Sequence, residues 1–185
     1  MKVLWLDKNI KYDGEQLKPL TNYLKHRVLG NSMVGWLGAC DVTVEHMIDG
    51  EDLLAGASIK ADEMAHFVLE LFDFPLKAAV ILQRLMAEMS AEVICGMSPQ
   101  KPRFERRGDD LFFENKKLNI SIATASSNST LIHFAVNSKP TGAPVAICCL
   151  QDFGVDAREF SSAFMEKVRV EFEDIIEASQ KVRSF

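Results

Sequence analysis

Two neighbouring segments of the chain carry polar side chains whose types could bind and polarise an anionic ligand. Lys117, Asn119 and Ser121 lie in the first segment, and His133 and Asn137 lie in the second. A lysine ammonium stabilises negative charge on phosphate or carbonyl oxygens, and an imidazole exchanges protons near neutral pH. Lys117 and His133 are therefore the candidate catalytic residues, and the other three are candidate ligand-binding residues.

The spacing of these polar residues predicts that they lie on two strands of one hairpin. Side chains alternate between the two faces of a strand, so the polar residues of segment 117–125 share one face and the apolar residues share the other. Segment 129–137 divides in the same way, and the intervening residues 126–128 are typical of a turn. The pattern therefore predicts a hairpin with one apolar and one polar face.

The register of this hairpin decides which polar side chains meet. A hairpin centred on Ser127 sets Ser121 opposite His133 and Lys117 opposite Asn137, because cross-strand partners lie at equal distances from the turn. Small polar residues would then leave room for a ligand on this face of the sheet. The open alternative is that the face is merely solvated, as one face of an antiparallel sheet often is.

Three further residues could extend the site. His66 and Glu70 alternate with apolar residues, which predicts a strand that brings both side chains to one face. His66 and His133, with Glu70 as the nearby acid, could form a proton-transfer pair, although a buried, hydrogen-bonded histidine is the open alternative. Arg107 belongs to a dense cationic patch that could bind phosphate through its guanidinium, unless that patch is a solvated loop.

The pattern along the rest of the chain predicts an α+β fold. Apolar residues recur every three or four positions at 15–29, from Asp73 to about 89 and from Asp156 to about 182, which predicts three helices. Besides a first strand at the N-terminus, β-rich segments are expected at 34–45, 65–71, 92–95, 111–114, 117–125, 129–137 and 145–151. Strands that do not alternate strictly with helices favour an antiparallel or mixed sheet flanked by helices. Residues 1–185 contain no long linker or repeat, so a single domain is predicted.

The composition argues against several classes of function. The 185 residues include 21 basic and 26 acidic side chains, and this net charge of -5 disfavours general nucleic-acid binding. No apolar stretch reaches the length of a membrane span, so no membrane partner is expected. The four cysteines have neither zinc nor disulfide spacing, which indicates thiols in a reducing cytoplasm. The acidic residues between positions 41 and 52 fit no defined metal motif, so no metal site is predicted.

Segment 107–137, RGDDLFFENKKLNISIATASSNSTLIHFAVN, resembles part of the biotin and lipoate protein ligases. In those ligases an Asn-Asp-Leu sequence leads into a Lys-Lys-Ile motif, and a Leu-His-His strand follows after a variable turn. Three tripeptides stand at corresponding spacings in this chain: Asp109-Asp110-Leu111, Lys116-Lys117-Leu118 and Leu131-Ile132-His133. As a whole, the chain is similar to an uncharacterised prokaryotic group, domain-of-unknown-function family 366, with the same class II synthetase-like fold.

The resemblance implies a biotin/lipoate ligase-like sheet that holds an acid activated as its adenylate. In those ligases the motif lysine lies against the carboxylate and the α-phosphate, and Lys117 matches it in this chain. The ligases' glycine-rich loop has no equivalent, because its nearest counterpart, segment 54–58, contains a single glycine. The cofactor is therefore left open, with ATP and Mg²⁺ as the candidates that the resemblance implies.

Three functions follow from these patterns, and whether the protein is an enzyme is left open among them. The first is a ligase-like domain that binds a small carboxylic acid or its nucleotide derivative on the polar sheet face, with acyl transfer as its reaction. The second is a noncatalytic small-molecule-binding or regulatory module that kept the fold without adenylation. The third is a structural homodimer built on a sheet edge or on the long C-terminal helix.

Overall fold

The computed structural model describes residues 1–183, which contain eight strands and four α-helices. In chain order these are β1 (Lys2–Leu6), α1 (Thr21–His26), β2 (Ser32–Val42), α2 (Gly50–Ala55), β3 (Ile59–Leu71), α3 (Leu76–Met97), β4 (Glu105–Arg107), β5 (Asp110–Phe113), β6 (Lys116–Lys117), β7 (Asn119–Ala125), β8 (Thr130–Asn137) and α4 (Ala157–Gln180). Short 3-10 turns at Val44–His46 and Leu150–Phe153 complete this description.

Five of the strands form a mixed sheet in the order β1-β2-β3-β8-β7. The pair β1 and β2 is parallel, whereas β2 with β3, β3 with β8 and β8 with β7 are antiparallel. A smaller antiparallel sheet, β4-β5-β6, lies beside the end of β7. The predicted α+β architecture, with an antiparallel or mixed sheet flanked by helices, is confirmed.

The two long helices cover one face of the five-stranded sheet. Phe160, Phe164, Val168 and Phe172 of α4 are buried and lie on one stripe, because residues four apart share a helix face. The ring of Phe164 packs edge-on against Phe67 of β3, with 4.8 Å between the ring centroids. This apolar layer is the main core. No helix within residues 1–183 is long and apolar enough to cross a membrane.

The opposite face of the sheet is apolar as well, whereas the sequence predicted a polar one. Tyr12, Leu17, Trp36 and Met64 belong to a second buried cluster on this side, together with Val68. Every residue of β8 is buried, His133 and Asn137 included. The polar residues therefore sit within an apolar layer, where they need specific partners, because an unpaired buried polar group is costly.

The first predicted helix, 15–29, is wrong in its extent, since α1 covers only Thr21–His26. Pro19 disfavours helical geometry in the residue before it. Leu20 adopts a left-handed conformation with φ of 62°, and its backbone N–H donates to the Glu70 carboxylate at 2.6 Å. A contact from a distant strand therefore fixes the backbone just before this helix.

Two predicted strands are also wrong. Segment 92–95 continues α3, because Ile94 falls four residues after the buried Ser90 and keeps the same face of the helix in the core. The β-branched residues there carry a strand preference that tertiary packing overrides. Segment 145–151 forms an isolated bridge between Ile147 and Lys117 and then the 3-10 turn at Leu150–Phe153.

Capping at the start of α4 gives a testable contribution to stability. Asp156 is the N-cap of this helix and accepts hydrogen bonds from the backbone N–H groups of Arg158 and Glu159. We expect Asp156→Ala to lower the free energy of unfolding by about 1 kcal/mol, because two N–H groups lose their acceptor. Urea unfolding followed by circular dichroism measures the change. Asp156→Asn, which keeps an accepting oxygen, should be much milder, and equal losses in both variants would contradict capping.

Candidate functional site

A cavity of about 260 Å³ opens on the sheet face opposite α3 and α4. Side chains of β3, β7 and β8 line it, among them Met64, Ile122 and His133. Residues from the connection between β2 and β3 and from segment 143–147 complete the lining, which is mostly apolar. A small concave site with an apolar wall and a few polar groups is the usual form of a ligand pocket.

Lys117 lines this cavity from the end of β6. Its backbone N–H donates to the carbonyl of Ala146 at 2.9 Å, and its carbonyl accepts from the N–H of Cys148 at 3.1 Å. Its ammonium Nζ lies 2.8 Å from Oδ2 of Asp110 on β5. Partial burial raises the pKa of Asp110, although the ammonium favours the charged carboxylate. The backbone position of this lysine is thus fixed, and its ammonium lies half-buried beside one acid.

His133 lines the same cavity and forms a buried pair with His66. Nδ1 of His66 lies 3.1 Å from Nε2 of His133, and Nε2 of His66 lies 3.1 Å from the carbonyl oxygen of Gly38. The ring of Tyr12 stacks on His133 with 3.7 Å between centroids. Burial is the main cause that lowers the pKa of both imidazoles, so both are neutral near neutral pH. The structure therefore joins the two histidines that the sequence placed on one face.

Two of the three other predicted binding residues hold the backbone around the cavity. Asn137 donates from its amide to the carbonyls of Lys117 and Cys148 at 3.1 and 3.2 Å. Asn119 accepts from the N–H of Leu111 at 2.7 Å and donates to a carbonyl on the approach to β5. The Ser121 hydroxyl is buried without a partner among the described residues. Asn119 and Asn137 therefore position the strand that carries Lys117.

The predicted register of the hairpin is wrong by one residue. Ser121 pairs with Phe134, and His133 pairs with Ile122. The Ser126 hydroxyl accepts from the N–H groups of Asn128 and Ser129, so the connection has four residues and no single central one. A slip of one residue exchanges the faces of a strand, which places the Ser121 and Asn119 side chains toward the helix side.

Glu70 and Arg107 are not brought to the cavity. Glu70 shares the face of His66, as predicted, but its carboxylate accepts from the Leu20 N–H and from the Ser129 hydroxyl at 2.8 Å. Arg107 is exposed, pairs with Glu105 at 2.7 Å and stacks over the ring of Phe112. Both side chains are therefore engaged in structural contacts where the structure places them.

Sequence reasoning missed several residues of the cavity. Tyr12 reaches it from the segment after β1, through a parallel bridge to Cys40. Asp49 and Asp52 line it from the connection between β2 and β3, where Asp49 caps α2. None of these positions follows a strand or helix period, so no local pattern indicated them. The acidic run around them was the one available signal.

The fold of the protein is biotin/lipoate ligase-like. A biotin protein ligase from Aquifex aeolicus in complex with biotin and ATP is similar with a TM-score of 0.61 at 12% identity, over 95% of this chain and 72% of that chain. The chain belongs to the family described as "Domain of unknown function (DUF366)", whose sequence profile matches residues 1–183.

Two relatives that share about a third of their residues with this chain support this membership. A protein of unknown function from Pyrococcus horikoshi has a TM-score of 0.94 and 36% identity, over 100% of this chain and 98% of that chain. An uncharacterised protein from Methanocaldococcus jannaschii is 33% identical over 161 residues, which are 84% of this chain and 72% of the relative. The similarity of the whole chain to domain-of-unknown-function family 366 is thereby confirmed. The biotin/lipoate ligase-like fold, which segment 107–137 indicated, is confirmed by the ligase structure.

The buried histidine pair should make the protein less stable as the pH falls. Burial lowers the pKa of His66 from 6.5 to about 4 and holds the pKa of His133 well below its usual range. Between these values the unfolded chain binds protons that the folded chain does not. The free energy of unfolding should therefore decrease as the pH falls from about 6.5 toward about 4, by about 1 kcal/mol per pH unit for each histidine.

Urea unfolding at neutral and mildly acidic pH measures this loss, and His66→Gln is the matched variant. Glutamine keeps an N–H donor for the Gly38 carbonyl but does not titrate in this range. The surface carboxylates titrate alike in both proteins, so their contribution cancels in the comparison. The profile of the variant should be flatter. An identical pH dependence in the two proteins would show that His66 is not held neutral by the fold.

Proposed function

We propose that the cavity binds a small carboxylic acid, or its nucleotide derivative, with Lys117 as the electrostatic anchor of the carboxylate. The observation that carries this proposal is a half-buried ammonium in the wall of a mostly apolar cavity. Ile120, Ile122 and Met64 offer the apolar surface on which the body of such an acid would pack. A charge pair away from bulk water is stronger than one on the surface, which favours an anionic group at this lysine.

The contact between Lys117 and Asp110 bears on how an acid would be held. The Asp110 carboxylate is half-buried, and burial raises its pKa, so its charged form is disfavoured by its surroundings. A ligand carboxylate beside the same ammonium would raise the pKa of Asp110 further, because like charges repel. The ligand carboxylate and Asp110 would therefore compete for the same ammonium. Acyl transfer is the reaction that this arrangement supports, since the ammonium would also stabilise charge developing on a carbonyl oxygen.

The charges around the rest of the cavity bear on the nucleotide. Asp49 and Asp52 line it, and the ammonium of Lys60 lies 3.6 Å from Asp41. This connection between β2 and β3 carries no arginine and no glycine-rich turn for phosphates. The two carboxylates in the lining would repel a triphosphate. No group of three metal-binding side chains, which could hold a cation beside the phosphates, occurs in residues 1–183. The residues present do not fit ATP.

This mismatch favours a second candidate function, a noncatalytic module that binds a small acid without activating it. The same cavity and the same lysine serve both candidates. They differ in whether a bound acid reacts with ATP. The noncatalytic module would be regulatory, because binding of the acid would alter its interaction with a partner.

Two measurements on the full chain test the proposal and separate the candidates. Isothermal titration calorimetry with a panel of small carboxylic acids, from pentanoate to biotin and lipoate, should detect binding to the wild-type protein. Exchange of labelled pyrophosphate into ATP, with the same acids, reports adenylate formation. Binding with exchange supports acyl transfer, and binding without exchange supports the noncatalytic module. A panel in which no acid binds and none promotes exchange would refute both.

A further inference from the structure

The hydrogen bonds of the histidine pair fix the position of each imidazole proton. A carbonyl oxygen can only accept, so Nε2 of His66 carries a proton and donates it to Gly38. Nδ1 of the same neutral ring is then an acceptor. Its partner, Nε2 of His133, must be the donor across the 3.1 Å contact. It follows that Nδ1 of His133 bears a lone pair and no proton.

This lone pair is left free for a ligand. No hydrogen bond joins Nδ1 of His133 to any group within residues 1–183. In the same part of the chain, the buried side-chain atoms that lack both a partner and solvent access are His46 Nδ1 and Ser121 Oγ, so His133 Nδ1 is not sealed in the core. Because His133 lines the cavity, its free nitrogen is an acceptor available to a ligand.

The surroundings of His133 keep this acceptor in place. The Tyr12 ring lies almost parallel to the imidazole, at an interplanar angle of 12°, so the imidazole plane is held against it. A flip of the His133 ring would break the bond to His66 and leave an unpaired nitrogen in the core. His66 is neutral because it is fully buried, and burial likewise keeps His133 unprotonated. The acceptor is thus part of the folded structure before any ligand arrives.

We propose that His133 Nδ1 accepts a hydrogen bond from the ligand, so that the site selects carboxylic acids with an N–H or O–H donor remote from the carboxylate. This inference rests on the proposed function, in which Lys117 holds the carboxylate. An acid without that donor displaces water from the cavity but leaves Nδ1 of His133 without a hydrogen-bond partner. Sites built around one such hydrogen bond reject the analogue that lacks it, and we expect a preference of about tenfold or more.

Three acids of equal chain length provide the probe. ω-Hydroxyhexanoate ends in an O–H donor, ω-methoxypentanoate in an ether that only accepts, and heptanoate in a methyl group. We expect ω-hydroxyhexanoate to bind the full-length protein about tenfold more tightly than either of the others, as measured by NMR titration. His133→Phe, which keeps a ring stacked on Tyr12 but has no acceptor, should bind the three acids equally. Lys117→Gln should weaken all three alike.

The outcomes separate this inference from the proposed function. Equal affinity of the three acids for the wild-type protein, or a preference that survives in His133→Phe, would refute the donor requirement and leave the carboxylate site intact. If none of the three acids binds, the carboxylate site fails and the donor requirement fails with it. Nitrogen-15 NMR of the wild-type imidazoles is an independent check that needs no variant. A proton on Nδ1 of His133 would overturn the inference whatever the affinities.

Discussion

Lys117→Ala should weaken the binding of a small carboxylic acid by about 30-fold or more, as measured by isothermal titration calorimetry. A hydrogen bond to a charged group contributes about 1.5–3 kcal/mol, and each 1.4 kcal/mol is a factor of ten. The variant also leaves Asp110 half-buried without its partner at 2.8 Å, so no ammonium balances this carboxylate. Both effects act against an anionic ligand.

Lys116→Ala is the matched control for this variant. Lys116 is the preceding residue of β6, is exposed and does not line the cavity. The substitution Lys116→Ala removes the same charge from the protein as Lys117→Ala. A general effect of net charge on anion binding would therefore appear equally in both variants. We expect nearly unchanged affinity for Lys116→Ala. If the two variants lose affinity to the same extent, Lys117 is not the anchor, and the proposed site is wrong.

The strand period predicted which side chains share a face with each histidine, because alternation within one strand is a local property of the sequence. Side chains two residues apart on a strand share a face, and this placed His66 with Glu70 and His133 with Leu131. The antiparallel pairing of β3 with β8 then brings His66 beside Ala135 and His133 beside Val68, within reach of one another. The strand pattern placed Lys117 with Asn119 and Ser121, the resemblance implied its role, and the structure places it in the cavity lining.

The hairpin register could not be predicted in the same way, because it depends on one turn. A turn of three residues and a turn of four both suit the serines and asparagine at 126–129. The hydrogen bonds of the Ser126 hydroxyl select the longer one. These bonds of Ser126 fix the register in which the Ser121 side chain faces the helices and Ile122 lies opposite His133.

The rest of the site comes from contacts between distant parts of the chain. Tyr12 is brought over the histidines by its bridge to Cys40, and the cavity's far wall comes from segment 143–147, which has no helix or strand. The carboxylate of Glu70, which the sequence assigned to a ligand, is needed by Leu20 and Ser129 instead. Loop positions of this kind carry no period, so only the folded chain shows them.

The crossing of the Tyr12 segment over β2 depends on Gly38. A side-chain carbon at this position would overlap the carbonyl oxygen of Ile10 and lie 2.7 Å from its carbonyl carbon. Both are backbone atoms, so the segment cannot yield by a change of rotamer. The same Ile10 carbonyl accepts from the Trp36 indole at 2.8 Å, and the Gly38 carbonyl itself accepts from His66. Gly38 therefore has two roles. Its lack of a side chain lets the Tyr12 segment cross β2, and its carbonyl holds His66 in place.

We expect Gly38→Ala to lower the free energy of unfolding by about 3 kcal/mol, because the clash forces the backbone of segment 10–12 away from the sheet. Tyr12 should move with it, which uncovers His133 and lowers the affinity for an acid in the same variant. Gly96→Ala is the control, since nothing lies within 4 Å of a side-chain carbon there and Gly96 is in α3. It should raise stability by about 0.5–1 kcal/mol. Urea unfolding compares the two variants, and a Gly38→Ala protein as stable as the wild type would show that the crossing is not close-packed.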